Sequence, residues 1–339
     1  MRQLIKFIFW VITVLALNGC ETENYGAQVF PLAEKTMAAG YSHNCIIKKD
    51  ETVACFDGYF INRNDANFED INKTALKAKA LSAGLAHTCA ILLDDTVKCW
   101  NDKQKVSFGP TEPYERNLRA NFDEIENAKV LDIAAGYFHT CAVKASNNQI
   151  QCWGDDSRNQ IKKIKSTFNG KKMKSITAGA ENICAIMMDD TVLCSNEPSG
   201  FHKIAHKKVK AIKANGDHAC AITLNDDKLI CWGKTPIDQQ DTFVKEIQDE
   251  KVLAMALGEK HVCAILAKDT VMHCWGDENY AQLISPIIKE KKYKSVFAGR
   301  FHTCALDFDD RVKCFGFDAA LAHIKDIQGE VLKYVAAGS

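Results

Sequence analysis

Residues 130–154, VLDIAAGYFHTCAVKASNNQIQCWG, contain two cysteines 11 positions apart, and six other stretches of the chain repeat this pattern. Fourteen of the fifteen cysteines form such pairs, each separated by 10 or 11 residues. The first cysteines of successive pairs recur on average about every 43 residues, which is typical of a propeller blade. The pairs are Cys45/Cys55, Cys89/Cys99, Cys141/Cys152, Cys184/Cys194, Cys220/Cys231, Cys263/Cys274 and Cys304/Cys314.

The spacing within a pair predicts a β-hairpin. If Cys89 lies opposite Cys99, then Leu92 lies opposite Thr96 and residues 93–95 form a three-residue loop. Pairs that are 11 residues apart gain one loop residue, and both loop lengths are common in hairpins. Directly opposed Cβ atoms are about 4.5–5.5 Å apart, only slightly beyond the span of a disulfide. We therefore expect one disulfide inside each unit.

A zinc site is the alternative for these thiols. Zinc needs four converging ligands, whereas successive pairs lie a whole unit apart. Paired thiols persist as disulfides outside a bacterial cytoplasm, and an export signal at the start of the chain agrees with that compartment. We expect no metal.

Three further positions recur in the units. Five residues before the first cysteine stands a glycine, replaced once by Asn215; because Asn is the commonest non-glycine residue at positive φ, we expect a left-handed turn there. A histidine, replaced once by Asn182, is expected to hydrogen-bond to its own turn backbone. The glycines are Gly40, Gly84, Gly136, Gly179, Gly258 and Gly299, and the histidines are His43, His87, His139, His218, His261 and His302.

An aromatic residue follows the second cysteine in six units. Because both faces of the flanking strands are apolar or small, we expect strands that are buried on two sides, with the aromatic ring between adjacent blades. Ser195 in the fourth unit predicts a weaker contact. The aromatic residues are Phe56, Trp100, Trp153, Trp232, Trp275 and Phe315.

The first 34 residues are expected to lie outside the propeller, which would comprise residues 35–339. Arg2 and Lys6 precede an uncharged run at residues 7–17, so residues 1–19 have the form of a signal peptide. Residues 17–20 resemble the lipobox of bacterial lipoproteins, which implies acylation of Cys20 and a linker at residues 20–34. Glu21 mildly favours the outer membrane by the same resemblance. A secretory signal with an incidental cysteine is the alternative, giving a periplasmic or secreted protein.

The overall charge points to no class of partner. The chain has 43 Lys and Arg against 43 Asp and Glu, so no global field favours nucleic acid. Lysines cluster at residues 162–165, 171–174, 207–210 and 289–294. They are interpreted as solvated loops, with a basic face for an anionic partner as the alternative. The variable segments between units, such as residues 101–130 and 155–176, are expected to hold an outer strand and its loops.

The units resemble the repeat of the regulator of chromosome condensation family. The resemblance rests on Ala-Ala-Gly, then His-Thr two residues later, then Trp-Gly at the end of the second strand, and it extends over residues 35–338. Residues 276–283 resemble the extended tail of that repeat, and residues 155–161 keep a weaker version. The resemblance implies an all-β, seven-bladed propeller with antiparallel four-stranded blades. Characterised relatives include a nuclear exchange factor and a secreted β-lactamase inhibitor, but a shared fold transfers neither activity.

Residues 36–40 and 334–338 are copies of one strand, and a closed ring of seven blades has one slot for them. We expect the C-terminal copy to fill the slot; the alternative is a chain that stops inside an eighth unit.

The functional prediction is a membrane-anchored, extracytoplasmic, monomeric binding protein without a cofactor. It would present a propeller face to another protein or an anionic envelope polymer and catalyse nothing, because no nucleophile, acid-base pair or phosphate loop stands out. Two alternatives stay open. One is an inhibitor or regulator of a secreted or periplasmic enzyme, and the other is an enzyme with its active site at the propeller axis.

Overall fold

The computed structural model describes residues 35–40, 43–57, 71, 74–85, 87–100, 125, 127–196, 200–216, 218–233, 247, 249–276, 291–299 and 302–316. The signal peptide, Cys20, the linker and residues 334–338 lie outside these ranges, as do residues 277–283 of the repeat tail.

Seven antiparallel sheets form the fold, each built from three strands that are consecutive in the chain. Each sheet is one blade, with an inner, a middle and an outer strand in chain order. The blades are Met37–Ala39 (β1), His43–Ile47 (β2) and Val53–Asp57 (β3); Ala78–Ala83 (β4), Thr88–Leu92 (β5) and Val97–Trp100 (β6); Val130–Ala135 (β7), His139–Lys144 (β8) and Ile150–Gly154 (β9); Met173–Ala178 (β10), Ile183–Met187 (β11) and Val192–Cys194 (β12); Val209–Asn215 (β13), His218–Thr223 (β14) and Leu229–Gly233 (β15); Val252–Leu257 (β16), His261–Leu266 (β17) and Met272–Gly276 (β18); Tyr293–Ala298 (β19), His302–Asp307 (β20) and Val312–Gly316 (β21).

Each middle-to-outer hairpin has the predicted register. In the second blade the amide of Leu92 donates to the carbonyl of Thr96 at 2.8 Å. Because hydrogen-bonded and non-hydrogen-bonded pairs alternate along antiparallel strands, Cys89 and Cys99 form a non-hydrogen-bonded pair, where the Cα atoms lie closest. Their Cα atoms are 4.0 Å apart.

One disulfide joins the middle and outer strands of every blade, as the cysteine spacing predicts. The paired Cα atoms are 4.0 or 4.1 Å apart in all seven. The disulfides are Cys45–Cys55, Cys89–Cys99, Cys141–Cys152, Cys184–Cys194, Cys220–Cys231, Cys263–Cys274 and Cys304–Cys314.

The prediction that the strands are buried on both faces is confirmed for the middle strands. It is wrong for the outer strands. All six residues of β17 are buried. On the outer strands, Lys98 is exposed and Cys231 and Cys274 are only partly buried. The outer strand forms the edge of each described sheet, so part of its surface reaches solvent.

The blades close into a ring through contacts between neighbouring inner strands, including β1 with β19 of the last blade. Met37 and Ile46 of the first blade share a buried cluster with Phe297 and Leu306 of the seventh. The N-terminal copy of the duplicated strand therefore forms the inner strand of the first blade. The expectation that the C-terminal copy displaces it is wrong, because β1 already pairs with the adjacent β2.

The core lies in the wedges between adjacent blades. Trp153 is 1% exposed and packs on Cys89, Ile91 and Val97 of the preceding blade. Trp100, Trp232 and Trp275 occupy equivalent places between their blades, and Phe315 is partly buried in the same way. The predicted role of these aromatic residues is confirmed, apart from Phe56, whose side chain lies outside the described residues.

A helix stands where an outer strand was expected in the third blade. Residues Gln160–Phe168 (α1) follow β9, and their buried side chains recur at helical spacing. A carboxylate oxygen of Asp156 accepts the amide of Ile161 at 2.8 Å, which satisfies one of the free donors at the helix start. Each of the seven sheets thus has three strands in the part of the chain that is described, instead of the four expected.

Helix α1 also fills the wedge in which Ser195 replaces the aromatic residue. Ile161, Ile164 and Phe168 join the cluster between the third and fourth blades. Ser195 is buried, and its hydroxyl oxygen accepts the amide of Ile183 at 3.0 Å. The expected weaker contact is wrong, because apolar groups from the helix replace the missing ring.

The repeated glycines do not have left-handed backbones, so that prediction is also wrong. Each inner strand turns into the middle strand at this glycine, and the histidine ring folds over it. A Cβ on Gly136 would lie 2.4 Å from Cε1 of His139 and 2.8 Å from the carbonyl oxygen of Gly179 in the next blade. Close approach of a ring and a neighbouring backbone excludes every larger residue. In the fifth blade Gly216, and not Asn215, presents the carbonyl to the preceding blade.

Candidate functional site

The fourteen paired cysteines brace the blades and do not converge on a site. The first cysteine of each pair lies on a middle strand and the second on an outer strand, and none of the fourteen lines the central channel of the propeller. Their role is therefore structural. The outer-strand members are Cys55, Cys99, Cys152, Cys194, Cys231, Cys274 and Cys314, and the middle-strand members are Cys45, Cys89, Cys141, Cys184, Cys220, Cys263 and Cys304. Cys20, the predicted lipidation site, lies outside the described residues.

The repeated histidines connect adjacent blades. In four blades Nε2 of the histidine contacts the side chain that precedes the first cysteine of the next blade. A fifth histidine, His139, meets Ile183 at that position, and neither ring nitrogen has a hydrogen-bonding partner among the described residues. The four contacts are His43 with Thr88 (2.6 Å), His87 with Thr140 (2.7 Å), His261 with Thr303 (2.7 Å) and His302 with Asn44 (2.7 Å).

This arrangement corrects the prediction that the histidine side chain bonds to its own turn. The backbone carbonyl of His139 accepts the amide of Gly136 at 2.8 Å and closes the turn, so the ring is left to reach the next blade. The last contact, from His302 to Asn44, joins the seventh blade to the first. The side-chain oxygen of Asn44 only accepts, so Nε2 of His302 carries the proton.

Burial keeps these histidines neutral. Desolvation lowers the pKa of His87 and His261 from the usual 6.5 to about 3. The same cause lowers the pKa of His43, His139 and His302 to about 4. Neutral rings that bridge blades fit a structural role.

The inner strands surround a central channel of ≈ 170 Å³, and alanine and glycine make up 14 of its 29 lining residues. The edge of each inner strand faces this channel, so its backbone groups need partners other than a further strand. Side chains of the neighbouring blade supply four of them. The bonds are Ala135 N to Ser82 Oγ (2.9 Å), Ile176 N to Asp132 Oδ2 (2.8 Å), Ala214 N to Thr177 Oγ1 (3.0 Å) and Asn215 Nδ2 to Leu257 O (3.0 Å).

One ion pair lies in the channel. Nζ of Lys35, in the first blade, donates to Oδ1 of Asp132 and to the carbonyl oxygen of Ile133, both at 2.5 Å. Asp132 is 1% exposed and also accepts the amide of Ile176. Lys35 thereby connects the start of the described chain to the third and fourth blades.

Four polar side chains of the channel lining, Lys35, Ser82, Thr177 and Asn215, thus serve the contacts between blades. A catalytic site at the axis would need a nucleophile near a base, or donors that converge on one reacting atom. In the described ranges, no three or more His, Cys, Asp or Glu side chains are grouped as metal ligands.

One end of the propeller has a distinct surface, formed where inner strands begin and where middle strands turn into outer strands. The two features adjoin because six of the seven hairpin tips accept an amide from the inner strand of the next blade, for example Val130 N to Asp95 O at 2.9 Å. We call this surface the lysine face. It comprises the strand starts 77–79, 129–131, 171–174, 207–210, 249–253 and 291–294, and the hairpin tips 48–51, 93–96, 144–149, 188–191, 224–228, 267–270 and 307–311.

Lysines occur at two repeated positions of the lysine face. The second residue of the inner strand is a lysine in four blades, and each pairs with the aspartate at the tip of its own blade: Lys79 with Asp95, Lys174 with Asp190, Lys210 with Asp227 and Lys294 with Asp310. The residue before the inner strand is an exposed lysine in six blades. These six leading lysines are Lys77, Lys129, Lys172, Lys208, Lys251 and Lys292.

None of the six leading lysines forms an ion pair with another described residue. Aspartates at the tips offset part of their charge; hydrogen bonds from Thr96 lower the pKa of Asp94, and bonds from Thr191 lower that of Asp189. The lysine face as defined still carries 19 Lys and Arg against 14 Asp and Glu, whereas the whole chain is balanced at 43 each. The clusters at 171–174 and 207–210, and the described part of 289–294, belong to this basic surface. Residues 162–165 belong to α1, outside the lysine face as defined.

Apolar side chains are also exposed here. The large apolar side chains that are exposed in the described structure are Leu93 (45%), Leu131 (40%), Met188 (50%), Leu224 (39%) and Phe308 (57%), and all five lie on the lysine face. Four of them belong to hairpin tips of different blades. Grouping the lysines by sequence runs missed this surface, which alignment of the units by repeat position would have found.

Two of the seven blades match a known family. The regulator of chromosome condensation (RCC1) repeat matches residues 130–160 and 293–319, which contain the strands of the third and seventh blades. These two blades are RCC1-type repeats. No curated protein matches the chain.

Solved structures share the fold. The CRINKLY WD40 ectodomain of the Arabidopsis thaliana receptor kinase ACR4 is 21% identical, with a TM-score of 0.59 over 88% of this chain and 98% of the ectodomain. The ectodomain of the Physcomitrella patens receptor kinase CR4 is 20% identical, with a TM-score of 0.57 over 83% and 73%. Prp20p of Saccharomyces cerevisiae is 14% identical, with a TM-score of 0.55 over 86% and 84%. At these identities the likeness concerns the fold alone.

Proposed function

We propose that this protein is a binding propeller of the bacterial cell envelope, exported by residues 1–19, anchored by acyl chains on Cys20, and without catalytic activity. Its partner is another protein or an anionic envelope polymer. The observation that carries the proposal is that four polar side chains of the channel lining form structural bonds between blades. We therefore look for recognition on the two propeller faces.

The disulfides support the compartment. Seven bonds between neighbouring strands persist only where thiols are not kept reduced. In the part of the chain that the structure describes, no helix is long and apolar enough to cross a membrane. Cys20, in its lipobox-like context, supplies the chemical group for a lipid anchor. Several acyl chains on one residue suffice for stable anchoring, because each buried CH₂ contributes roughly 0.8 kcal/mol.

We assign partner recognition to the face opposite the lysine face, where inner strands turn into middle strands. Leu85 and Phe138 form a small apolar cluster there with Tyr137, and the two aromatic rings meet edge to face at 6.3 Å. Glu259 is half-buried beside the channel mouth, and burial raises the pKa of its carboxyl. Aromatic side chains are enriched at the centre of protein interfaces, which supports this choice of face.

Crosslinking in the native cell tests the proposal. A photo-reactive amino acid at Tyr137 is expected to capture one protein in stoichiometric amount, whereas the same group at Lys163, on the exposed side of α1, should not. Equal capture at both positions, or none at Tyr137, would contradict recognition through this face. Replacing Cys20 by Ser should allow concentrated salt to wash the protein out of the membrane fraction, whereas the same wash should leave the lipidated parent bound. Attachment of the Cys20→Ser protein that resists the salt wash would contradict the anchor.

A further inference from the structure

The exposed apolar side chains of the lysine face are arranged in a plane. Leu93, Met188, Leu224 and Phe308 lie at the hairpin tips of the second, fourth, fifth and seventh blades, and Leu131 lies in the third. Because the blades repeat around one axis, equivalent positions lie at one height and at different angles. A protein hot spot requires apolar groups clustered near one centre. Apolar side chains that are spread around the rim of a propeller can all be contacted at once only by a flat, extended surface.

The charge of the lysine face indicates which kind of flat surface it contacts. The six leading lysines lie around the same ring as the four apolar tips, and each lysine is exposed. An anionic bilayer attracts each lysine near its surface and accepts isolated apolar side chains at the depth of the headgroups. A soluble polyanion would use the lysines but leave the apolar tips in water.

The described chain also begins at this face. Lys35 precedes the first inner strand by two residues, close to the strand start that corresponds to Lys79 and Lys174 on the lysine face. Residue 20 is fifteen positions before Lys35, a distance of at most about 50 Å for a fully extended chain. Anchoring at Cys20 would therefore join the membrane to the propeller at the same end.

We propose that the lysine face lies against the surface of an anionic phospholipid bilayer, with the leading lysines at the headgroups and the apolar hairpin tips inserted between them. The inference rests on the proposed anchoring only for the position of the tether. The contact itself belongs to the folded propeller. It leaves the opposite face directed away from the membrane and open to a partner.

Vesicle binding by the mature chain with Cys20→Ser tests this contact without any lipid on the protein. Vesicles of phosphatidylcholine and phosphatidylglycerol in equal amounts are compared with pure phosphatidylcholine by co-sedimentation. We expect at least about tenfold stronger partitioning into the anionic vesicles, with most of it lost in concentrated NaCl, where the Debye length is only a few ångströms. Equal partitioning into both, or no binding to the anionic vesicles, would overturn the proposal.

Two sets of variants test the two kinds of side chain. The triple change Lys172→Gln, Lys208→Gln and Lys292→Gln should weaken partitioning at least about tenfold, since each lysine near an anionic surface contributes about 1 kcal/mol. The matched control on α1, Lys162→Gln, Lys163→Gln and Lys165→Gln, removes equal charge and should change it less than about twofold. Equal loss of vesicle binding in both triple variants would show that binding depends only on the net charge of the protein. That result would contradict binding through a defined face.

Insertion of the tips needs a separate measurement. Phe308→Trp should give a tryptophan whose emission shifts to shorter wavelength with anionic vesicles and is quenched by brominated lipids, while Lys163→Trp should not respond. A Phe308→Trp protein that co-sediments without any shift would contradict insertion. Every protein in these vesicle tests lacks Cys20. Failure of the vesicle test would therefore contradict the docking surface alone, whereas salt-resistant attachment of the Cys20→Ser protein in cells would contradict only the anchor.

Discussion

At the scale of single residues, the bond from a histidine to the next blade is the repeated unit that holds neighbours together. His87 and Thr140 are both buried, and Nε2 lies 2.7 Å from Oγ1. Removing one member of such a pair leaves the other buried without a partner. That loss costs more than the bond itself contributes.

Thr140→Val should therefore lower the free energy of unfolding by about 1–3 kcal/mol, since valine keeps the shape and removes the hydroxyl. The third blade offers the reciprocal test, because His139 faces Ile183. Ile183→Thr should be more stable than Ile183→Val by about 0.5–1.5 kcal/mol, the usual gain from one hydrogen bond. Urea unfolding with the disulfides intact measures both differences. A Thr140→Val protein as stable as the parent would contradict the role of these bonds.

The channel ion pair gives a second test. Lys35→Met should destabilise the fold by about 3–5 kcal/mol, because it leaves the buried Asp132 carboxylate without its cation. Adding Asp132→Asn should recover most of that loss, since the amide oxygen still accepts from Ile176. If the double variant is as unstable as Lys35→Met, the charge of Asp132 is not the cause.

The repeat pattern identifies the recurring glycines and histidines, but it does not show which groups they contact. The glycine before each histidine can be recognised in the sequence because it recurs. A left-handed turn is the wrong explanation for its recurrence. The ring of His139 and the carbonyl of Gly179 exclude a Cβ at Gly136. The second group belongs to another blade, so no local pattern could indicate it.

At the scale of elements, the hairpins were predictable and the helix was missed. A cysteine pair at fixed spacing sets the register of two strands, because a slip by one residue would turn one thiol to the other face. The expectation that residues 155–176 hold an outer strand and its loops is wrong for the part that forms α1. Ile161, Ile164 and Phe168, spaced three and four residues apart, were the available signal for a helix that buries one side.

Phe168→Ala tests whether α1 replaces the missing aromatic ring beside Ser195. Phe168 is 1% exposed between the third and fourth blades, so its removal should cost about 3–5 kcal/mol. Lys165→Ala, on the exposed side of α1, should stay within about 0.5 kcal/mol of the parent. Thermal unfolding at neutral pH measures both. A small effect of Phe168→Ala would show that the helix is not part of the core.

At the scale of the whole molecule, five buried histidines should make the propeller sensitive to acid. Their pKa values are about 3 or 4 in the folded protein and about 6.5 in the unfolded chain. Well above pH 6.5 both states are neutral and stability does not depend on these groups. As the pH falls from about 6.5 towards 4, only the unfolded chain takes up protons, so stability falls by at most about 7 kcal/mol per pH unit.

Urea midpoints at neutral pH and about one pH unit below the ordinary histidine pKa should therefore differ strongly. His139→Asn, which copies the natural Asn182 of the fourth blade, should remove about a fifth of the pH dependence, as one of five such groups. Equal midpoints at the two pH values would show that these histidines are not kept neutral by burial.

The seven-bladed ring could be predicted because the period of the repeat and the number of cysteine pairs can both be counted in the sequence. Ring closure could not, since residues 36–40 and 334–338 are similar candidates for one slot and only packing decides between them. The lysine face was likewise visible only after the hairpin tips and strand starts of all blades were placed at one end.

Non-reducing peptide mapping of the mature protein isolated from its native envelope tests whether each exported blade is braced by its own disulfide. We expect seven linked peptides, every one joining the two cysteines of a single blade, and an N-terminal peptide that begins at an acylated Cys20. Free thiols, or links between cysteines of different blades, would contradict it.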